Sequence, residues 1–572
     1  VALATFMALG AWRLMKMGII VKETSTVEAL GAATVLCTDK TGTITENRME
    51  LYQLYDFIAD KTLTKENWKN ASAQTLISAA MWASESVPFN PMEKALHKAY
   101  EENVSSDLRP EFKMIHEYPL DGKPPMITHI FENKNGERII AVKGAHEAIL
   151  KFSSLTSEQI NKVNSYLDSF AREGLRVLGV GIIDFRGNDF PKTQQEFQIN
   201  FLGLIGFYDP PKKNIAHVFE QLYNAGIQLK IITGDNPVTT AAIAKQAHFK
   251  GYEKTITSSE LLPLNESDFD KAVIENNLFT RMFPEVKLKI IESLKRQNHI
   301  VGMTGDGVND GPALKAANIG IAMGMRGSEI AKEASSLILT DDDFAKMVDA
   351  VAMGRKIYTN LKKAIQYIIS IHIPIILTVA LPLVLGWIYP AIFTPVHVIF
   401  LELIMGPTCS IVYENEPLEK NSMLQKPRLI TSTFFNLKEL SLSIFQGLAI
   451  TAGTLFIYQL AVQKGYTEET TRSLVFTTLI FANLFLTLVN RSFYFSVLNT
   501  LRNRNILLRI VIIATLALLA MILYIPSFSS FFKITSLNGM QIGWTIATAF
   551  VSVIWFEVYK WRKRKRGPNK TA

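Results

Sequence analysis

The stretch AIQYIISIHIPIILTVALPLVLGW, residues 364–387, contains no acid, lysine or arginine, and a single histidine, His372. At this length it exceeds the ~20 residues with which an α-helix crosses the hydrocarbon core of a bilayer. Comparable runs follow at 391–412, 440–462, 472–490, 505–526 and 541–559, and residues 1–14 read as the end of an earlier one. The composition is 48% hydrophobic, but that share is crowded into these runs. The middle of the chain is an ordinary soluble mixture. The expectation is an integral membrane protein with a large soluble part between its apolar ends.

Orientation follows from basic residues. The segments 413–439 and 491–504 and the tail after 559 carry Lys420, Lys426, Arg428, Arg491, Arg502, Arg504 and the run WRKRKR, whereas the opposite connections hold only Lys464 and Lys533. Positive loops stay inside, so the soluble middle and the C-terminal tail are expected in the cytoplasm. The formal charge of +8 then suits anionic lipid headgroups and calls for no nucleic-acid partner. Two cysteines, Cys37 and Cys409, exclude a disulfide framework. The chain opens inside an apolar run, VALATFMALGAW, with no signal peptide, as expected of a piece of a longer polypeptide.

Between Val21 and Thr359, short β-branched runs alternate with amphipathic stretches, the pattern of parallel strands joined by helices. Four runs end in acid-bearing turns: ATVLCTDKTGT (33–43), IQLKIITGDN (227–236), HIVGMTGDGVND (299–310) and SLILTDDD (336–343). Ligands of open parallel sheets bind at the carboxyl ends of strands, so the first three are expected to converge on one site. The insertion 52–203 is long enough for a second domain, and DPPKK (209–213) marks a stiff hinge where the chain returns. The expected organisation is a domain made of 15–51 and 204–359, the inserted domain 52–203, a membrane domain 360–560 and a basic tail 561–572.

A lone aspartate at a strand end is ordinarily a turn former or cap. Asp39 has different company. A carboxylate that attacks a phosphoryl group needs a divalent metal, a lysine and backbone N–H groups around it to offset charge repulsion. Asp306 and Asp310 are hard oxygen ligands suited to Mg²⁺, Lys287 or Lys40 supplies positive charge, and Thr233-Gly234 offers hydrogen bonds to phosphate oxygens. Asp39 therefore reads as a nucleophile.

Taken together and in this order, DKTGT, TGD and TGDGVNDGPAL resemble the signature of P-type cation-transporting ATPases, and the resemblance covers essentially the whole chain. It implies an α/β haloacid-dehalogenase-like phosphorylation domain, an inserted α+β nucleotide-binding domain and an α-helical transmembrane bundle. It further implies that Asp39 accepts the γ-phosphate of ATP, that Thr41 assists Mg²⁺ and phosphate, and that Asp39, Thr41 and Asp306 surround the metal. Thr233, Gly234 and Asp235 match the TGD motif, Asn309 and Asp310 the remaining contacts of the GDGVND loop, Lys40 the residue after the nucleophile and Lys287 the phosphate-side lysine. In the insertion, KGAHEAIL (143–150) is similar to the family's KGAPE-like adenine motif, with His146 where proline is usual; Lys143 and Gly144 are the matching residues. Tyr118 stands where an aromatic ring stacks on adenine, Lys123 follows it, and Glu93 and Arg176 complete the set. ATP and Mg²⁺ are the implied substrate and cofactor.

Six spans after the soluble part are similar to the calcium, sodium/potassium and proton branches, and GRKIYTNLKKAIQYIIS (354–370) is closest to the calcium pumps. Ionisable groups inside spans are costly and point to function. Glu402 is the carboxylate well inside a span, and His372 and Pro374 interrupt the preceding one; these three are the expected ion path. The sequence departs from calcium pumps here: Glu402 falls where they keep an asparagine, Gly406 where they keep an aspartate, and Ile375 where some keep a glutamate. Calcium or another divalent cation is the expected cargo, with a proton or monovalent-cation pump and a nucleotide-binding regulator without turnover as alternatives. Intact DKTGT and GDGVND weigh against the regulator, and Thr41, where soluble phosphatases of this fold carry a second aspartate, weighs against a phosphatase. A bacterial plasma membrane is the expected location. No TGE motif occurs, so the family's actuator domain is expected as a missing part of the same polypeptide. This stretch alone is expected to bind nucleotide and accept phosphate without completing transport.

Overall fold

The computed structural model describes residues 2–121, 125–187, 189–419, 421–428, 437–502 and 505–565. Lys123, Lys420, Arg504 and the tail 566–572 therefore lie outside the described residues. The chain forms two compact units, Thr34–Ala345 and Val1–Ala33 with Lys346–Ala572.

Within Thr34–Ala345, seven strands form a parallel array in the order Leu337–Leu339, Ile319–Met323, Val301–Gly305, Val35–Thr38, Gln228–Ile232, Leu278–Thr280, Thr255–Thr257. The central strand Val35–Thr38 is buried at every position, which is why it is apolar throughout rather than alternating. Its register sets the site: Ile231 pairs with Thr38 and Met303 with Cys37. Two neighbouring strands thus end level with the one that delivers Asp39. Apolar residues of this sheet and of the helix Pro284–Arg296, among them Val35, Phe279, Ile290 and Met303, form one core.

The insertion contributes most of a seven-stranded antiparallel sheet, ordered Lys61–Thr64, Glu50–Asp56, Asn200–Tyr208, Arg176–Ile182, Arg138–Gly144, Met126–Asn133, Phe112–Asp121. Neighbouring residues on a strand face opposite sides, and here both sides are covered. Leu54, Ala141 and Ile205 enter one core, while Tyr55, Val142 and Leu204 enter another. The two chain crossings at 44–48 and 209–212 are tied together: Glu46 N donates to Pro210 O (2.9 Å) and Lys212 N to Ile44 O (2.8 Å). The Asp209 carboxylate accepts from Thr45 Oγ1 at 2.6 Å and from Arg48 N at 3.1 Å.

The other unit is helical. Six of its helices, Lys346–Val384, Pro395–Val412, Leu437–Gln463, Glu468–Val489, Ile506–Tyr524 and Gly539–Lys565, are long and apolar enough to cross a membrane. The first has 39 residues, about 58 Å at 1.5 Å per residue. The expected interruption at Pro374 differs from what forms, since the helix continues through both Pro374 and Pro382. The second span starts at Pro395 rather than 391, because proline is pre-shaped for the first helical turn, and it ends in a π-helical segment, Thr408–Val412. Glu468–Val489 is the most enclosed helix. Polar pairs line the bundle interior: Ser370 Oγ donates to Gln446 Oε1 (3.1 Å), and Gln446 Nε2 to Asn490 Oδ1 (2.9 Å). Tyr367 hydroxyl donates to Asn483, and Thr378 and Thr454 hydroxyls share a hydrogen bond. Among the described residues, Arg491 and Lys560 depart from the lipid-facing expectation, both being buried. Arg491 is buried, its guanidinium forked onto Glu416 at 2.8 and 3.2 Å, because paired charge is the form in which arginine tolerates an interior.

Candidate functional site

Asp39 stands just past the carboxyl end of Val35–Thr38. Its backbone N–H donates to Thr304 Oγ1 (3.3 Å), and Thr304 Oγ1 donates to Thr38 Oγ1 (3.1 Å). Hydroxyls on adjacent strands thus fix where the carboxylate begins. Carboxylate oxygens of Asp39, Asp306 and Asp310 all lie within 4.8 Å of one another. Lys287, from the first turn of Pro284–Arg296, reaches Asp310 Oδ1 at 2.7 Å and Asp39 Oδ1 at 3.6 Å. Asp310 is held from its other side by the Gly307 N–H (3.2 Å).

The charges do not balance. Three carboxylates share one ammonium, and Asp39 Oδ1 is buried with no hydrogen-bond partner. Burial pushes Asp39 up to about 7; Lys287 pulls it back, and Asp310, Asp306 and Asp235 push it further. Asp306 is also raised, by burial and then by Asp310. Lys287 loses some charge stability to burial, yet Asp39 and Asp310 outweigh that and raise it. A largely buried oxygen-only ligand set with more carboxylates than nearby ammonium groups fits a hard divalent cation.

Lys40 turns away from this cluster and pairs with Asp235 at 2.5 Å. Burial alone would raise Asp235, but Lys40 and then Arg176 hold its carboxyl below the usual range. Thr233 is buried, its backbone N–H on Phe279 O and its hydroxyl accepting from the Asp235 N–H (3.3 Å). Space is open around Gly234, where a Cβ would meet only Met282 O, at 3.8 Å. Gly42 turns the chain after Thr41 at φ +74°, and a Cβ there would lie 2.9 Å from Arg326 Nη1 and 3.3 Å from Asp306 Oδ2. Thr41 is half-buried beside that turn, and Asn309 is exposed in the 308–310 turn. Sequence reading missed Thr304, which is plain threonine in the TGDGVND run. It also missed Arg326, whose loop is anchored far along the chain: Asp342 accepts from the Met325 and Arg326 N–H groups at 2.9 and 3.1 Å.

In the insertion, the structure joins two expected residues and withdraws a third. Lys143 Nζ is buried and donates to Ser84 Oγ (2.5 Å) and Glu93 Oε1 (3.1 Å). Burial lowers its pKa, with Glu93 opposing. Gly144 lets two strands close together, since a Cβ would sit 2.6 Å from Met126 Cα. Arg176 is exposed at the start of Arg176–Ile182. Tyr118 does not present a stacking face. It is only 6% exposed, its hydroxyl donates to Pro191 O (2.5 Å) and its ring meets Phe197 edge-on at 5.6 Å, because its place on Phe112–Asp121 points it into the core beneath the sheet. Lys123 lies outside the described residues.

In the helical unit, His372 Nε2 lies 3.0 Å from Glu402 Oε1. His372 Nδ1–H donates to Ile368 O (2.8 Å), and Pro374 is buried on the same helix. Two of the three expected ion-path side chains therefore meet directly. The neutral Gln446, Asn483 and Asn490 of the bundle interior were passed over in sequence because only charge distinguishes a polar site from ordinary span composition.

Comparison with known proteins gives two family matches. Residues 33–318 match haloacid dehalogenase-like hydrolases, and residues 390–562 match the C-terminal part of cation transporting ATPases. The chain is 32% identical to Calcium-transporting ATPase 1 of Bacillus cereus over 81% of its own length and 54% of that protein's. It is 30% identical to Calcium-transporting ATPase 1 of Lactococcus lactis, over 97% of its own length and 65% of the relative's. Against Calcium-transporting ATPase type 2C member 1 of Bos taurus the identity is 27%, over 98% and 62%. The chain thus spans between half and two thirds of the length of these relatives.

Proposed function

The chain belongs to the P-type cation-transporting ATPases, and from that premise we propose that it takes part in ATP-driven transport of calcium or another divalent cation through a phosphorylated Asp39. The observation that carries this reading is Asp39 Oδ1, buried without a hydrogen-bond partner, beside Asp306 and Asp310 and 3.6 Å from Lys287 Nζ. Names of the relatives, all calcium-transporting ATPases, support the cargo.

The insertion 52–203 holds ATP, with Lys143, Glu93 and Gly144 at the base side and Arg176 bridging toward the phosphates as a forked donor. Lys123, by its place in the sequence, joins them. Asp39, Asp306 and the Thr41 carbonyl would hold Mg²⁺, for which the surplus negative charge is suited. When bound, Mg²⁺ screens the charge between the attacking carboxylate and the γ-phosphate oxygens. Asp39 attacks the γ-phosphorus in line; the new bond runs from its carboxylate oxygen, the bond to the bridging oxygen breaks, and ADP departs with that electron pair. Lys287 stays beside the carboxylates and offsets charge as the phosphoryl group approaches. Thr233 and the backbone at Gly234 donate to its oxygens, and Asn309 and Asp310 complete the loop that encloses it. Lys40 and Asp235 hold the two neighbouring loops in step.

The organisation that goes with this reading is a phosphorylation domain of 15–51 and 204–359, a nucleotide domain of 52–203 and a membrane domain of 360–560. The soluble part and the tail face the cytoplasm of a bacterial cell, and the cation passes by Glu402, His372 and Pro374. The test is acid-stable incorporation of ³²P from γ-labelled ATP into the full chain, in Mg²⁺ and against a panel of cations. Label should appear on the wild type and fall to background in Asp39→Asn; label that persists in Asp39→Asn would overturn the reading.

A further inference from the structure

Apart from the carboxylates around Asp39, one other group of side chains among the described residues has the donor set of a metal site. Glu85, Glu117 and His129 each offer one ligand atom, and these atoms lie within 4.8 Å of one another. Glu117 and His129 sit directly opposite on the paired strands Phe112–Asp121 and Met126–Asn133, so their side chains share a face. Glu85 follows the helix Ala71–Trp82 and reaches the same place from a loop.

His129 supplies the independent observation. It is 0% exposed, and its Nε2 has no hydrogen-bond partner. Nδ1 lies 3.0 Å from Ser84 O, and a carbonyl only accepts, so the Nδ1 proton is fixed there. Nε2 of the neutral ring then carries a bare lone pair. A buried ring nitrogen ordinarily finds a donor. Here the ring stands beside two carboxylates, one of its nitrogens lying within 4.8 Å of an oxygen of each, and electron-pair donors gathered this closely repel unless a cation lies between. A backbone carbonyl on the far nitrogen is also the arrangement that orients a metal-binding imidazole.

We propose that Glu85, Glu117 and His129 Nε2 bind a divalent transition-metal ion of the zinc class, at a site separate from Asp39. One imidazole with two carboxylates suits Zn²⁺ better than Mg²⁺, which prefers oxygen alone. Tetrahedral ligands at ~2.1 Å from such an ion stand about 3.4 Å apart. The present separations, all within 4.8 Å, are close to this, and the exposed Glu117 is free to adjust its rotamer. Ser84 links this place to Lys143, since its hydroxyl accepts from Lys143 Nζ while its carbonyl holds His129.

The test uses the full chain in detergent, with excess Mg²⁺ to occupy oxygen-only ligands and Zn²⁺ alone as probe, read by isothermal titration. The wild type should bind one Zn²⁺ whose affinity falls at least tenfold in Glu117→Gln and again in Glu85→Gln, both positions outside the closed core. His129→Asn should abolish it, and the two glutamate variants keep the test informative if that variant fails to fold. Absence of such binding in the wild type, or unchanged affinity in both glutamate variants, would overturn the proposal.

Discussion

At the scale of single residues, the turn after Asp39 is constrained from two directions. Gly42 has φ +74°, where an L side chain costs about 1–2 kcal/mol, and a Cβ would press on Arg326 Nη1 and Asp306 Oδ2. Gly42→Ala should therefore lower phosphorylation of Asp39 by at least tenfold while moving the unfolding midpoint only slightly, measured by ³²P incorporation and by a thermal scan of the same preparation. Two residues before Asp39, Cys37 is buried, and burial pushes its thiol up to about 12, with Lys230 pulling down. Thiolate is the reactive form, so iodoacetamide at pH 8 should leave Cys37 unlabelled in the folded protein and modify it once denaturant is added; mass spectrometry of the peptide decides. Residue placement was legible where a motif fixed it, as with Asp39, Asp306 and Lys287, which lie together. It was not legible for Tyr118, because a sequence position does not say which face of a strand is turned inward, and that face decided the tyrosine's surroundings.

At the scale of elements, strand endings were readable and their ties were not. The apolar runs before DKTGT, TGD and GDGVND announced strands, and the register that sets Ile231 beside Thr38 and Met303 beside Cys37 follows from parallel pairing of those runs. The proline pair in DPPKK suggested stiffness where the chain returns from the insertion. What holds that return is Asp209, through Thr45 Oγ1 and Arg48 N, a contact across more than 160 residues of sequence that no local pattern announces. Hydrogen bonds to a charged acceptor contribute about 1.5–3 kcal/mol. Asp209→Ala should lower the unfolding midpoint and open the 44–48 and 209–213 crossings to protease, whereas Asp209→Asn, which keeps an accepting oxygen, should lose less. Equal protease resistance in wild type and Asp209→Ala would refute this role. Span ends shifted by a few residues for a similar reason: hydropathy marks where a helix is apolar, while proline at 395 sets where one begins, and Leu437–Gln463 and Gly539–Lys565 run on through charged residues, Lys438 and Glu439 in the one and Arg562 to Lys565 in the other.

At the scale of the whole molecule, the chemistry divides between two compact units. Every side chain placed around Asp39 belongs to Thr34–Ala345, and the His372–Glu402 pair belongs to the helical unit. The division of labour was legible from the crowding of apolar residues alone. The cargo was not, since Gln446, Asn483 and Asn490, buried inside the bundle, carry no charge that would mark them in the sequence. Glu402 is half exposed in the structure, and His372 beside it gives the carboxylate a partner that a bound cation must displace or share. Glu402→Gln removes the charge and keeps the shape. Under the proposed reading it should raise the cation concentration for half-maximal phosphorylation by at least tenfold, because a charge-assisted contact exceeds a neutral one by about 1.4 kcal/mol or more. The Mg²⁺ concentration for half-maximal phosphorylation, set by Asp39 and Asp306, should stay where it is in the wild type. Both curves come from one phosphorylation assay titrated with each ion in turn. A parallel shift of both would mean that Glu402 acts through the stability of the chain, and an unchanged cation curve would remove Glu402 from the ion path.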